Sequence, residues 1–400
     1  MPNENKPGYK NTQLGWIPEE WEINRLGKLM KLISGLHLGP SEYNKSGKGT
    51  PYFTGPTDYT NCFNELTKWT NKKGALAKAN DVLITVKGSG VGSMHYLSLP
   101  QVAIGRQIMA IRDDENSCTS FIYHYLLQKE YQFRELAKGN MIPGLTRHDI
   151  LTLEIKTPSL PERKKIAAIL SIWDEAITKT QQLIAQLQQR NKGLMQQLLT
   201  DKKRLKGFEK TKWNKINADA IFKSVSIKNN SNEQLLSATQ DKGIIPRDML
   251  SGRVTMPSGE TKSYKLVEPG NFIISLRSFQ GGLEYSEYRG IVSPAYTVLK
   301  PVKCIDDDFY KYYFKSYDFI GHLAVAVIGI RDGKQISFGD FCVLRLPYPP
   351  LEEQKQIAAI LSQADNEVKL YEQQLTILQQ QKKGLMKKLL TGEIRVKIDN

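Results

Sequence analysis

A chain of 400 residues and 45.4 kDa, 40% hydrophobic and 24% charged, is too long for one average core and too apolar for a disordered or collagen-like protein, so two or three globular domains are expected. Fifty-six Lys and Arg against 41 Asp and Glu leave a net charge of +15, which points to a polyanionic partner, nucleic acid ahead of an anionic membrane surface. Cys62, Cys118, Cys304 and Cys342 lie far apart with no Cys-x-x-Cys pair and no His cluster beside them, which excludes a disulfide framework and a zinc site.

Taken in chain order, the start is polar, Met1-Pro-Asn-Glu-Asn-Lys-Pro7, and no apolar run approaches the ~18 residues of a membrane span, so neither export signal nor anchor is expected and the chain reads as cytoplasmic. A first head is expected over 1–158. It opens on the tryptophan segment Trp21-Glu-Ile-Asn-Arg-Leu26, and its apolar run Asp81-Val-Leu-Ile-Thr-Val-Lys87, closed by Gly88-Ser-Gly90, suits a buried strand and a turn. A helix follows at Phe121-Ile-Tyr-His-Tyr-Leu-Leu127. Thr146-x-x-Asp149 has capping-box spacing. A long helix is expected over 159–206, opened by Ser159-Leu-Pro-Glu162 as a second capping box with proline in the first turn. A second head over 207–349 repeats the plan: Trp213-Asn-Lys-Ile-Asn-Ala218, the run Asn271-Phe-Ile-Ile-Ser-Leu-Arg277 leading to Gly281-Gly282, the helix Phe309-Tyr-Lys-Tyr-Tyr-Phe314, and Ser337-x-x-Asp340. A second long helix over 350–400 ends at Gly392, a residue suited to a left-handed C-cap.

The two halves are copies. Ile166-Ala-Ala-Ile-Leu-Ser171 recurs as Ile357-Ala-Ala-Ile-Leu-Ser362, an offset of 191, and at that offset Lys192-Gly-Leu-Met195 returns as Lys383-Gly-Leu-Met386 and Leu198-Leu-Thr200 as Leu389-Leu-Thr391. Ile166, Leu170, Trp173, Ile177, Ile184 and Leu187, with Ile357, Leu361, Val368, Leu375 and Leu378 in the second copy, step by four and three, the heptad seam of a coiled coil. Each helix of about 40 residues would span ~60 Å, whereas a domain of this size is only ~30 to 40 Å across, so the second helix is expected to run back antiparallel to the first. Asn191 and Lys382 hold equivalent seam positions; they either fix the register or simply lie near fraying ends. The exposed-looking Gln181, Gln182, Gln188 and Gln189 are either partner surface or solvated faces.

For nucleic acid, the candidates of the first head are Lys87 and Ser89 in the glycine turn, Arg106, Lys138 and Arg147, with Asn140 able to read an adenine edge; those of the second are Arg277 and Gln280 before Gly281-Gly282, Arg289, Arg331 and Lys334. Small residues let backbone approach a phosphate, although each such loop also fits an ordinary turn with a solvated charge. Asp149 and Asp340 align but read as caps. The acid, acid-x-Lys pattern of Asp149, Glu154 and Lys156 is set aside as chance, because Arg345 and Pro347 replace its last two members in the second copy. Glu42 stands where a phosphate loop ending in Gly47-Lys48 needs glycine, no Asn-Pro-Pro-aromatic or Asp-Pro-Pro-aromatic string of an amino-methyltransferase occurs, and His37, His95, His124, His148 and His322 show no metal or triad spacing. No catalytic residue and no metal ligand is therefore nominated.

A head, a helix opening Leu160-Pro-Glu-Arg-Lys-Lys-Ile-Ala-Ala-Ile-Leu170, then a head and Leu351-Glu-Glu-Gln-Lys-Gln-Ile-Ala-Ala-Ile-Leu361, resembles the specificity subunit of type I restriction-modification systems. Leu14-Gly-Trp-Ile-Pro-Glu-Glu-Trp21 and the Lys-Gly-Leu-Met and Leu-Leu-Thr strings look like that family too, so the likeness covers nearly the whole chain. It implies an α+β fold, two pseudo-twofold-related α/β target-recognition domains separated by two long antiparallel coiled-coil helices, a dumbbell. It further implies that each head reads half of a bipartite, asymmetric double-stranded DNA target. The helices would set the gap and recruit two methyltransferase subunits and the restriction subunits. This chain would then be non-catalytic and without a cofactor of its own, and S-adenosylmethionine, ATP and magnesium would be carried by those partners. A second reading is the specificity subunit of another restriction-methylation system whose partner is a fused methyltransferase-nuclease.

Overall fold

The heptad pattern produces two long helices. The computed structural model describes residues 6–113, 118–138, 144–250, 261–326 and 336–398, and four of its helices organise the two heads and their connections: α1 (Thr119–Leu127), α2 (Leu160–Leu198), α3 (Asp307–Lys315) and α4 (Leu351–Thr391). α2 has 39 residues and α4 has 41. Pro161, the one proline within either, sits in the first turn of α2, where its missing N–H is not needed. Of the predicted seam, Ile166, Leu170, Ile184, Leu187, Ile357, Leu361 and Val368 are buried, and Trp173, Ile177, Leu375 and Leu378 are half-buried. Gly392 ends α4 with φ of 75°, and a Cβ there would stand 2.5 Å from Pro18 Cδ, so both backbone and space require glycine.

The chain packs as two units, residues 1–180 with 374–400 and residues 181–373, so the division falls inside the helices. Each unit holds one head, the start of the helix that follows that head and the end of the other helix. In the second unit Gln188, Arg190 and Asn191 of α2 bond to Glu372, Glu367 and Asp365 of α4; rising numbers meet falling ones, and the segments are antiparallel. In the first unit Ile166 and Leu170 share a core with Met386, Leu389 and Leu390, and Asp174 pairs with Lys382, the same sense.

The two heads share a sheet order. In the first, antiparallel strands run Met30–Ser34, Ile108–Asp113, Val82–Thr85, Met94–Tyr96. In the second they run Phe222–Val225, Thr297–Pro301, Phe272–Ile274, Glu284–Tyr285. The uninterrupted apolar runs are explained by burial on both faces. Val82 and Ile84 enter the core that holds α1, while Leu83 enters a second core with Ile104, Ile108 and Ala110. Likewise Phe272 and Ile274 pack with α3, and Ile273 packs with Leu236 and Val298. Each head is closed by its ends: Glu22–Arg25 pairs with Glu154–Thr157, and Asn214–Asn217 with Arg345–Tyr348, 191 residues on from the first pair's second strand.

Both aligned aspartates cap helices, as the spacing predicts. Asp149 Oδ2 accepts from Thr146 N at 2.7 Å while Asp149 N donates to Thr146 Oγ1 at 3.2 Å; Asp340 and Ser337 repeat the exchange at 2.9 and 3.1 Å. The nuclease-like trio does not assemble, since Asp149 is a cap, Glu154 accepts from Gln13 and Lys156 is buried. One expectation is corrected. The spacing assigns Glu162 to a capping box with Ser159, but its carboxylate, 1% exposed, instead accepts from Trp21 Nε1 and from the Arg395 guanidinium, stronger partners for a buried anion than a helix-end amide.

Candidate nucleic-acid interface

Strand register gathers most of the first head's candidates. Ser34 faces Met109, and Thr85 faces Ile108, so the end of Met30–Ser34, the start of Ile108–Asp113 and the end of Val82–Thr85 lie at one end of the sheet. Lys87 follows the last of these and Arg106 precedes the second, flanking the Val86 N to Gln107 O hydrogen bond of 2.7 Å. Arg147 is tethered there, Nη1 to Ser34 Oγ at 2.9 Å and Nη2 to Leu32 O at 3.1 Å. Lys87, Ser89 and Arg106 are exposed, with no ion pair or side-chain hydrogen bond among the described residues. Gly88 holds φ of 89°, which lets the turn fold back at this edge. Lys138 reaches the same end, because Gly144 N bonds to Ala137 O and Gly144 bridges Lys87, but its ammonium is held by Glu135 at 2.7 Å. Asn140 lies outside the described residues.

In the second head Arg277 and Gln280 are exposed just beyond Phe272–Ile274, on the short helical turn Ser278–Gly281 in place of the expected open glycine turn. Arg277 lines a recess of about 520 Å³ with Gln240, Asp241, Glu284 and Tyr296. Glu284 is 2% exposed, and burial raises its pKa against the opposing pull of Lys315, whose Nζ lies 2.7 Å from Oε1. Arg289 is a different case: its guanidinium is shared between Glu233 at 2.8 Å and Glu268 at 3.2 Å, so its charge is met within the head rather than offered outward. Arg331 and Lys334 lie outside the described residues.

One cluster escaped the sequence reading and a second was read only in part, without its partners; each is present once per unit. Where head meets helix, Trp21 Nε1 donates to Glu162 and Arg395 closes on the same carboxylate at 2.7 Å; in the second unit Trp213 Nε1 donates to Glu353 at 3.0 Å and Arg204 closes on it at 2.8 Å. Glu162 and Glu353, and Arg204 and Arg395, are each related by the 191-residue offset, which is the signal that could have found them. The second cluster lies at the polar seam positions. Lys382 pairs with Asp174, and Asn191 Nδ2 donates to Asp365 Oδ1 at 3.2 Å. Both seam residues are buried and bonded to the other helix, so they sit at register-defining positions and not at frayed ends.

The heads complete these seam clusters with the sixth residue of α1 and of α3. Tyr312 Oη donates to Asp365 Oδ2 at 3.0 Å, whereas His124 Nδ1 stands 3.7 Å from Asp174 Oδ2. Burial, and then the positive charge of Lys382, hold the His124 pKa down at about 3, so the ring is neutral at pH 7 and its approach to Asp174 is not an ion pair. Below pH ~6.5 the unfolded chain takes up a proton that the folded unit refuses, so stability must fall as the pH drops toward 3. His124→Tyr, the residue of the second unit, is expected to flatten that acid limb in melts taken between pH 7.5 and 4.5; an unchanged slope would remove His124 from the account.

The type I restriction modification DNA specificity domain matches residues 18–189 and again 199–380. Two Methanocaldococcus jannaschii sequences named as type I restriction enzyme specificity subunits, MjaX and MjaVIII, are each 26% identical to the chain, the first covering 97% of both chains and the second 95% of this chain and 94% of its own. The crystal structure of the S subunit of a type I restriction-modification system from M. genitalium superposes with a TM-score of 0.59 at 20% identity, covering 92% of this chain and 96% of that one. A chain from a structure of complex assembly in a type I system superposes with a TM-score of 0.57 at 17% identity, covering 94% and 99%. With the domain matched twice over most of its length, the chain belongs to the type I restriction-modification DNA specificity family, as a specificity subunit.

Proposed function

We propose that each head reads one half of a split, asymmetric double-stranded DNA sequence, that α2 and α4 fix the unread gap, and that the helices recruit two methyltransferase subunits and, with them, the restriction subunits. One observation carries this reading. The two heads share a sheet order, yet the exposed polar side chains at the strand ends differ, Lys87, Ser89 and Arg106 in one and Arg277 and Gln280 in the other. A common frame with different tips suits two different DNA words, phosphate contacts positioning the frame and base contacts specifying the word. The exposed Gln181, Gln182, Gln188 and Gln189 supply donors and acceptors for a partner surface. The chain contributes recognition; S-adenosylmethionine for adenine methylation, and ATP and magnesium for cleavage, belong to the partners.

Base-modification sequencing of the source genome with and without this gene tests the reading. The expected result is loss of N6-methyladenine at one split, asymmetric motif. A complex of this chain with its co-purifying methyltransferase that modifies DNA without such a motif would overturn it.

A further inference from the structure

The segment from Asp201 to Lys215, where the chain leaves α2 and enters the second head, has seven Lys and Arg against two Asp and Glu, a net +5 out of the +15 of the whole chain. Six of these, Lys202, Lys203, Lys206, Lys210, Lys212 and Lys215, are exposed, and among the described residues none has an ion pair or a side-chain hydrogen bond. The seventh, Arg204, is the pin on Glu353. The segment is folded rather than loose. Arg204 is bound to Glu353 and to Thr211, Phe208 N donates to Leu205 O at 3.0 Å, and Gly207 N donates to Glu209 at 2.8 Å. Six like charges held on a short fixed segment repel one another, an unfavourable arrangement unless a polyanion meets them.

The fold itself does not require them. The first unit builds the same junction from residues 15–22 and 392–398, pinned by Arg395 on Glu162, with four glutamates against one arginine and one lysine, a net −2. Lys212, next to Trp213, stands where the first copy has Glu20 next to Trp21, and Glu20 pairs with Arg395 at 2.7 Å. The charge of the junction is thus inverted between two copies of one structural device.

We propose that the Asp201–Lys215 junction is a sequence-independent contact to the DNA phosphate backbone, present in the second unit alone. It rests on the specificity-subunit reading but concerns a surface apart from the reading tips. Lysine ammonium groups on a fixed segment act as point charges on phosphates, and each phosphate neutralised adds about 0.9 to the slope of log K against log salt.

The test uses the full chain with its co-purifying subunits, a duplex carrying the motif found by modification sequencing, and a scrambled duplex of equal length. Changing Lys202, Lys203, Lys206 and Lys212 together to Gln is expected to lower the salt slope by about 2 to 4 and to weaken both duplexes by the same factor, leaving their ratio unchanged. The same four changed to Arg should keep the wild-type slope, which separates charge from folding. An unchanged slope in the Gln variant overturns the proposal, as does a loss of co-purifying subunits at unchanged slope, which would make the junction a protein-docking surface. A wild-type complex that binds both duplexes equally would instead defeat the specificity reading, and the slope comparison would still decide the junction.

Discussion

Deleting one heptad from each helix, Ile177–Leu183 from α2 and Gln373–Gln379 from α4, is expected to shorten the unread gap of the target while leaving both half-words unchanged. Seven residues of helix span about 10 Å, and duplex DNA rises about 3.4 Å per base pair, so the gap should close by about three base pairs. Whole heptads are removed because the seam must survive: Trp173 is then followed four places later by Ile184, and Tyr371 four places later by Lys382, the original step. The polar pairs Asp174 with Lys382 and Asn191 with Asp365 are retained. Modification sequencing of cells carrying the deletion reads the new motif directly. An unaltered gap in a complex that still methylates would refute the idea that these helices set the spacing.

The second large effect is on stability. Among the described residues, Arg204→Ala leaves the Glu353 carboxylate, 0% exposed, with only the Trp213 indole as donor, and stranding a buried charge of this kind costs about 3 to 5 kcal/mol. Arg395→Ala removes the equivalent pin of the first unit, but Arg395 is 38% exposed and its second partner Glu20 is 75% exposed, so solvent screens part of the loss and a smaller cost, about 1 to 3 kcal/mol, is expected. Chemical denaturation of the two variants should therefore show the larger shift in midpoint for Arg204→Ala. Adding Glu353→Leu to Arg204→Ala should recover part of it, because the uncompensated charge is gone. Equal losses at the two junctions, whose carboxylates are buried alike, would mean that solvent exposure of the arginine does not set the cost.

The helices and their seam were legible in the chain, because a largely apolar 3.5-residue period is sustained along each, and the duplication was legible as identity at one offset. The buried strands could be read as unbroken apolar runs, and the two capping boxes as Thr or Ser three places before Asp, because each depends on neighbours within a few residues. Glu162 shows the limit of that local logic. The same spacing predicts a cap, yet Trp21 and Arg395, 141 and 233 residues away, offer a buried carboxylate better donors.

The candidate interface divides in the same way. Composition and charge determined that this is a basic chain with a nucleic-acid partner to be expected, the 191-residue repeat gave it two heads, and the repeated helix motif carried the family. Which basic residues remain free was decided only by the tertiary structure. Arg289 is met by Glu233 and Glu268, 56 and 21 residues away, and Lys138 by Glu135 one helical turn back, while Lys87 and Arg106, 19 residues apart, are brought to one sheet end by the Thr85–Ile108 register. A residue's type and spacing specify its charge and its local element. For Lys138 the neutralising carboxylate is a local i,i+3 neighbour, but for Arg289 it depends on carboxylates that only folding brings within 4 Å, a pairing outside any local pattern.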